Sequence, residues 1–546
     1  MKSLLNIFRA LTRREQIIFF AVSGAFLASA IALAVFVIGK NTKVVPARGG
    51  EYREGMTGQP KYINPVLAAT DADKALVRLV FSNLPDIADT IASDKNGQSW
   101  KVRLKENIRW SDGEKITADD VIFTVATLQN PESQSPLFTA WQGVSANRAS
   151  ELEIQFNLAA PYPLFSENLK NLYLVPKHIF GETPPANWRL SDYNFQPIGS
   201  GPYKIDSYEK QPNGFIAAYR LSANKNYSGA APFIPNVLFR FFSNAGDLVK
   251  DFNAGMIDGF GDPGQDLAEK IKRPYRTIAF HLPSYYAVFL NQSQNIALKE
   301  NAVRTALSLA VDREALIVDA LRGGGTPVTG PFPPFILSDE SSTAPAPDAA
   351  RDLLERNGWK LNADGVREKT MNKKGIALGF DLVVPKVPFL VKTADALKKS
   401  WGGIGVKINL VALAPEEIAS RIIKNREYQA LLFGNVLGPA FDLYPFWHST
   451  ERFYPGLNLA LYASKQTDQS IESIRKNANA EKRSGQMREL RALIAGDAPA
   501  VFLYSPDYSY ITTKDLKGVS AGILPDPADR FRAAPEWYVK TTRALR

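Results

Sequence analysis

Cysteine is absent from all 546 residues of the chain, and histidine occurs only three times. Without cysteine the chain forms no disulfide, has no thiolate nucleophile and offers no thiolate ligand to a metal. The histidines, His178, His281 and His448, are far apart in the sequence and lack the spacing of a metal site. Their positions give no support for a zinc or nickel centre.

Catalytic motifs are missing as well. The sequence contains no G-x-S-x-G, no H-E-x-x-H, no Walker sequence and no G-x-G-x-x-G. The acidic pairs Asp119–Asp120 and Glu416–Glu417 begin predicted helices, where a favourable interaction with the helix dipole explains them. We therefore expect no enzymatic activity, no cofactor and no bound metal.

The cations of the chain are dispersed. Lys and Arg number 65 against 55 Asp and Glu, which gives a net charge of +10, yet no run of five basic residues occurs. This pattern does not indicate binding to nucleic acid. Mild positive charge favours instead a protein held beside anionic lipid.

One apolar segment, residues 17–39, contains no charged residue. As a helix it extends about 35 Å and crosses a hydrocarbon core of about 30 Å. The basic residues before it favour an inside N-terminus, so residues 1–16 are predicted to be cytoplasmic. A secretory signal cleaved near Val45–Ala47 is the alternative, although the apolar cores of signals are usually shorter, about 7–15 residues. Residues 40–54 contain proline and glycine and are predicted to form a short linker.

Strand and helix patterns are interleaved in the remainder of the chain. Strands are predicted near 152–156, 238–242 and 280–291, where apolar or β-branched residues alternate or cluster. Asp348 is the predicted cap of one helix, and Gly358 ends that helix. This mixture indicates an α/β or α+β fold and leaves the strand order open. The predicted helices are 247–255, 301–321, 348–357 and one within 467–496.

The stretch Trp100–Leu128 is the most informative part of the sequence. Its first five residues, WKVRL, alternate between apolar and basic, which predicts a half-buried strand. A turn is predicted at Trp110–Gly113, and Thr117 with Asp120 forms a capping box that opens a helix.

This stretch resembles a pattern of the large extracytoplasmic solute-binding proteins of ABC importers, the peptide/nickel-binding family 5. Further blocks in the order of the family carry the resemblance from about residue 55 to about residue 518. They are GQPKYINP at 58–65, IGSGPY at 198–203, NAVRTALSLAVDR at 301–313, DAARDLLERNGW at 348–359, DLYPFWHS at 442–449 and PAVFLY at 499–504.

The resemblance implies a two-lobed clamshell of mixed α/β structure with an inserted domain, which here follows one transmembrane helix. A solute is enclosed between the lobes. The chain lacks the lipid-anchor cysteine that many members carry, so anchoring falls to residues 17–39. The implied boundaries are a base lobe at about 50–68, 196–283 and 498–546, an inserted domain at 69–195 and a second lobe at 284–497.

The chain departs from the family pattern in two places. The loop at 80–88 is abbreviated, and in relatives this loop borders the ligand cleft. The segment Phe433–Gly438 lacks the tryptophan and the aspartate of a G-W-x-x-D motif, in which the aspartate meets the amino terminus of a peptide. Asp442 is the nearest acid.

A cleft that binds peptides needs aromatic walls, amide groups and a carboxylate, because burying an unpaired ammonium group is unfavourable. Alternative roles stay open: Asp442 as a cap, Trp447 as core packing, and the asparagines as partners of their own backbone. Tyr285 and Tyr286 point to opposite faces of a strand, so at most one of them faces the cleft. The predicted ligand-binding residues are Asp442, Trp447, Tyr285, Asn64, Asn291 and Asn435.

On this interpretation the protein is the membrane-anchored substrate-binding component of an ABC importer. It is expected to capture an oligopeptide or a similar small solute and to deliver it to permease and ATPase subunits. Its location would be the cell membrane, with a single pass and an extracytoplasmic body. The alternative is an extracytoplasmic scaffold, sensor or chaperone that has the same fold and takes no part in transport.

Overall fold

The computed structural model of the chain describes residues 12–262, 264–338, 344–371 and 373–545. Residues 1–11 of the predicted cytoplasmic segment therefore lie outside the described residues. The α-helices of eight or more residues are α1 Arg13–Asn41, α2 Asp71–Val80, α3 Ala118–Leu128, α4 Ala245–Asn253, α5 Asn301–Leu309, α6 Arg313–Leu321, α7 Pro347–Arg356, α8 Pro388–Gly402, α9 Lys465–Lys476 and α10 Ala480–Asp497.

Strands are distributed along the whole body and alternate with these helices. In chain order they are β1 Thr42–Ala47, β2 Glu51–Thr57, β3 Ala88–Ser93, β4 Ser99–Leu104, β5 Ser145–Arg148, β6 Glu153–Asn157, β7 Tyr203–Lys210, β8 Ile216–Ala223, β9 Asn236–Phe242, β10 Gly259–Phe260, β11 Arg276–His281, β12 Ser284–Leu290, β13 Gly325–Pro327, β14 Lys360–Leu361, β15 Arg367–Met371, β16 Lys374–Ala377, β17 Gly379–Pro385, β18 Lys407–Leu413, β19 Ala430–Val436, β20 Ala500–Thr512 and β21 Lys540–Leu545.

The apolar segment near the N-terminus is one continuous helix. Within α1, residues Arg13–Val37 are long and apolar enough to cross a membrane, with a mean hydropathy of 2.4 and none of the segment buried against the body. The segment that follows differs from the predicted linker, because residues 40–54 include β1 and the first half of β2. Strand β1 pairs with β21 in a separate two-stranded ribbon.

The main sheet is continuous across the body and has the order β18-β17-β19-β12-β20-β10-β2-β9-β8-β7. Strand β20 belongs to both halves of this sheet. Its first part pairs with β12 and β13, and its second part, from Asp507 onward, pairs with β11 and β10. The two halves are therefore the sheets of two lobes that share one long strand.

Each lobe has its own hydrophobic core. The base-lobe sheet shares one core with a smaller four-stranded sheet of order β3-β4-β6-β5. In the second lobe, helices α5 to α8 cover one face of the sheet and helices α9 and α10 cover the other. The resulting architecture is mixed α/β with two lobes, as the sequence predicted.

The sequence predicted some helix ends correctly and others wrongly. Thr117 and Asp120 form the predicted capping box, with Asp120 Oδ2 accepting from Thr117 N at 2.9 Å. The helix predicted at 301–321 is interrupted, because Asp312 caps a second helix by accepting from Ala315 N at 2.9 Å. Asp348 does not cap α7, since it lies inside the first turn and forms an ion pair with Arg351.

Candidate functional site

Two chain segments cross between the lobes at the same place. Strand β11 ends at His281 and β12 begins at Ser284, so only two residues separate the base-lobe sheet from the second-lobe sheet. Strand β20 makes the other crossing near Pro506 and Asp507, where its pairing changes from β13 to β11. Two short adjacent crossings permit rotation about one axis, which is the geometry of a hinge.

A cavity of about 650 Å³ lies at this crossing and has walls from both lobes. Its volume falls in the range of small-molecule binding sites, about 300–1,000 Å³. The lining residues of the base-lobe side are Asp262, Gly264, Leu267, Leu282 and Pro506–Ser509, and those of the second-lobe side are Tyr286, Leu321, Gly324, Val387–Phe389 and Lys392.

The two walls carry opposite charges. On the base-lobe wall, the carboxylate of Asp262 accepts a hydrogen bond from Gly264 N at 2.9 Å, and desolvation raises its pKa. On the second-lobe wall, Lys392 lies in the second turn of α8. Among the described residues neither side chain has an ionic partner within 4.0 Å. A ligand that carries both an ammonium and a carboxylate group therefore finds a counter-charge on each lobe.

Aromatic side chains line the cavity between these charges. The rings of Tyr286 and Phe389 meet edge to face, with centroids 5.3 Å apart. Burial raises the pKa of Tyr508 to about 12, and burial also raises the pKa of Tyr286. Both phenols are thus neutral at physiological pH and offer apolar faces with polar tips.

A histidine–carboxylate contact stands beside the hinge. His281 Nδ1 lies 2.8 Å from Asp507 Oδ1, and the imidazole stacks on Phe335 at a centroid distance of 4.7 Å. Asp507 also lines the cavity. This contact connects the last residue of β11 to the shared strand β20 and to the loop that contains Phe335.

A second junction joins the loop before residue 165 to the second lobe. Arg475 Nε lies 3.1 Å from Asp442 Oδ2, and its guanidinium lies 4.5 Å from the ring centroid of Tyr444 and 5.2 Å from that of Tyr162. Burial and the nearby Asp442 carboxylate together raise the pKa of Tyr162 to about 12. A cavity of about 250 Å³ adjoins this contact and is also lined by Leu164 and Asp442.

Three of the predicted ligand-binding residues meet one another inside the second lobe. The Tyr285 hydroxyl accepts from Asn435 Nδ2 at 2.9 Å and from Trp447 Nε1 at 3.0 Å. Tyr285 and Trp447 have no exposed surface, and Asn435 is 3% exposed. Tyr285 and Tyr286 face different cores, as predicted. Tyr286, rather than Tyr285, lines the large cavity.

The other predicted residues are placed apart from that group. Asn64 Oδ1 accepts from Val66 N at 2.9 Å, and Asn291 Nδ2 donates to Arg426 O at 3.3 Å. Both asparagines are buried. Asp442 Oδ1 accepts from Tyr444 N at 3.0 Å, in addition to its ion pair. The ligand-binding role of all six residues stays a prediction.

The residues that line the large cavity were not found from the sequence. Asp262 and Lys392 are 130 residues apart and belong to no shared motif. The weak signal was Phe280–Asn291, which was predicted as buried strand and which includes Leu282 and Tyr286. The residues that line the cavity come together because β20 passes between the lobes, and no local sequence pattern predicts that path.

The two-lobed α/β fold and the ligand-sized cavity at its hinge define the class of extracytoplasmic substrate-binding proteins. The family model described as "Bacterial extracellular solute-binding proteins, family 5 Middle" matches residues 84–454. The chain belongs to this family, in agreement with the motifs of its sequence.

Relatives with related structures are known in several bacteria. The oligopeptide-binding protein AppA of Bacillus subtilis is 26% identical over 495 residues, which cover 87% of this chain and 89% of AppA. The ABC transporter substrate-binding protein CtaP of Listeria monocytogenes has a similar structure, with a TM-score of 0.75 at 22% identity over 90% of this chain and 100% of CtaP. NikZ of Campylobacter jejuni, solved in complex with Ni(L-His), gives a TM-score of 0.69 at 25% identity over 89% of this chain and 99% of NikZ.

Proposed function

We propose that the chain is the membrane-anchored substrate-binding component of an ABC importer and that it captures a short peptide or a similar dipolar solute at the hinge cavity. The observation that supports this ligand class is the placement of Asp262 on one lobe and Lys392 on the other. An extended zwitterion contacts both groups only when the lobes are close together. Binding therefore shifts the population towards the closed form.

The closed form then delivers its solute to a permease. Helix α1 holds the body at the membrane, which keeps the local concentration of loaded protein high beside the transporter. In this mechanism the chain makes and breaks no covalent bond. It binds, encloses and releases its ligand.

A thermal-shift screen of the purified full-length chain tests this function. The screen uses dipeptides to pentapeptides, single amino acids, sugars and Ni(L-His). A ligand present at a hundred times its dissociation constant adds about 2.7 kcal/mol to stability, so a true ligand raises the melting temperature visibly.

Zwitterionic peptides are expected to stabilise the chain, and the same peptides with an acetylated amino terminus and an amidated carboxyl terminus are expected not to do so. A screen in which no compound raises the melting temperature would favour the scaffold, sensor or chaperone alternative. Stabilisation by sugars or Ni(L-His) alone would reject the dipolar ligand class while keeping solute capture.

A further inference from the structure

Strand β1 connects the apolar helix to the body without an intervening loop. Helix α1 ends at Asn41, and β1 begins at Thr42. In the ribbon that β1 forms with β21, Thr42 is opposite Leu545 and Ala47 is opposite Lys540. Six pairs at a rise of about 3.4 Å per residue make a ribbon about 20 Å long. The pair Thr42–Leu545 is the end of this ribbon that adjoins the helix.

The charged side chains of the described residues at the helix end of the ribbon are all basic. Lys43 and Arg543 are exposed, and Lys40 lies in the last turn of α1. The two strands of the ribbon contain no Asp or Glu. Within the described part of the chain, none of these three cations forms an ion pair with a carboxylate. Arg543 instead donates to Thr42 Oγ1 at 3.0 Å, which orders its guanidinium along the ribbon.

Apolar side chains are exposed at the same end. Val44 is 62% exposed and Leu545 is 80% exposed. Exposed apolar groups beside unpaired cations are typical of surfaces that lie at a membrane interface, where the apolar groups reach the acyl boundary and the cations meet lipid phosphates.

We propose that the β1–β21 ribbon is a lipid-binding element, in which Lys40, Lys43 and Arg543 contact the phosphates of anionic phospholipids. This inference rests on the proposed anchoring by α1. Each headgroup layer is about 5–8 Å thick, so a helix that spans the hydrocarbon core places the first pairs of the ribbon inside that layer. The ribbon then holds the body at a fixed height and limits its swing, which a flexible linker would not do.

The absence of cysteine makes the test direct, because one introduced cysteine is the only site that a thiol-reactive fluorophore can label. The full-length variant Leu545→Cys is labelled and reconstituted into vesicles of phosphatidylcholine, with and without phosphatidylglycerol. Quenching by a lipid-borne quencher then reports how close the label is to the bilayer. Val318→Cys, a site on the second lobe that is 65% exposed, is the reference position.

We expect stronger quenching at position 545 than at position 318, and a further increase when phosphatidylglycerol is present. Lys43→Gln with Arg543→Gln should abolish the increase. Lys540→Gln should not, since Lys540 is on the same ribbon at the end away from the helix and is the matched control. Equal quenching at positions 545 and 318, or quenching that phosphatidylglycerol does not change, would overturn the proposal.

Two controls separate this inference from the function on which it rests. Retention of the chain on vesicles after alkaline carbonate washing reports the anchoring by α1 alone. Ligand stabilisation measured on the same samples reports solute capture alone. Retention and capture together with unchanged quenching at position 545 would reject the lipid-binding ribbon and leave the proposed function intact.

Discussion

At the scale of single residues, the hinge cavity contains two charged side chains that have no ionic partner in the described part of the chain. Asp262 and Lys392 lie on opposite walls of a space of about 650 Å³. On the proposed function, a dipolar ligand would replace the water shells of these two groups with charge-assisted hydrogen bonds. Specificity for a zwitterion would follow from these two groups, and apolar affinity from Tyr286, Phe389 and Tyr508.

Lys392→Gln and Asp262→Asn should each weaken binding of a zwitterionic peptide by roughly tenfold, because a hydrogen bond to a charged group contributes about 1.5–3 kcal/mol and both sites are partly open to water. Isothermal titration calorimetry measures the change. The matched control is Lys398→Gln, on the same helix but outside the cavity, which should leave affinity unchanged. If the Lys392 variant binds the peptide as tightly as the native chain, the assignment of Lys392 to the ligand site is incorrect.

Tyr285 has a different predicted role, as the acceptor for two buried donors. Tyr285→Phe leaves Asn435 Nδ2 and Trp447 Nε1 without that partner, and each unsatisfied buried donor costs about 1–3 kcal/mol. We expect a loss of about 2–4 kcal/mol in the free energy of unfolding, measured by urea denaturation, with little change in ligand affinity. Tyr454→Phe, at a position that is 60% exposed, is the control. Weaker ligand binding with an unchanged free energy of unfolding would show instead that Tyr285 contacts the ligand.

These residues also show what sequence reasoning can reach. The alternation around Tyr285 and Tyr286 correctly predicted that the two rings face opposite sides of a strand. It gave no means to decide which side lines a cavity, because that depends on which lobe covers each face. No local sequence pattern marks Asp262 or Lys392. In a sequence, a charged residue on an open surface looks the same as one on the wall of a cavity.

At the scale of structural elements, the lobes are held together away from the hinge by the contact of Arg475 with Tyr162, while Asp442 and Tyr444 hold Arg475 from within its own lobe. The loop that contains Tyr162 and the helix α9 that contains Arg475 belong to different lobes. The ion pair between Arg475 and Asp442 lies within the second lobe and holds the guanidinium of Arg475 against Tyr162 of the other lobe. Loss of this contact between the lobes favours the open arrangement. Two roles are therefore open for Asp442: it orients Arg475 towards Tyr162, or it contacts the ligand directly.

A double-mutant cycle distinguishes the two roles of Asp442. If Asp442 acts by orienting Arg475, Asp442→Asn and Arg475→Gln should each weaken ligand binding by a few fold, and the double variant should bind no more weakly than either single variant. Lys476→Gln, the neighbouring exposed cation, should have no effect. Additive losses measured by calorimetry would show instead that Asp442 contacts the ligand independently of Arg475.

The ends of helices were predicted correctly where a capping residue was recognised in the sequence. They were predicted wrongly where a capping residue was misassigned or overlooked. The capping box at Thr117 and Asp120 fixed the start of α3 from sequence. The break between α5 and α6 was missed, since the apolar pattern continues through Ala310 to Asp312 while Asp312 caps a new helix. The ribbon of β1 with β21 was also missed, because its two strands are almost 500 residues apart and the first of them contains proline.

At the scale of the whole molecule, the two-lobed class and the family followed from ordered motifs that extend along most of the chain. The strand order did not follow, because pairing between β20 and both halves of the sheet is set by contacts between distant segments. The division into a base lobe, an inserted domain and a second lobe stays a prediction. What the structure adds is the hinge, at 282–283 and near 506, with the large cavity beside it.

Closure of the lobes around a dipolar solute is the central claim, and single-molecule fluorescence energy transfer measures it directly. The cysteine-free chain allows a donor and an acceptor at Leu190→Cys and Val318→Cys, two sites that are 83% and 65% exposed. A zwitterionic peptide should shift the population towards one transfer state, and the same peptide should produce no shift in the variant with both Asp262→Asn and Lys392→Gln. A distribution that stays unchanged at saturating peptide would contradict the claim.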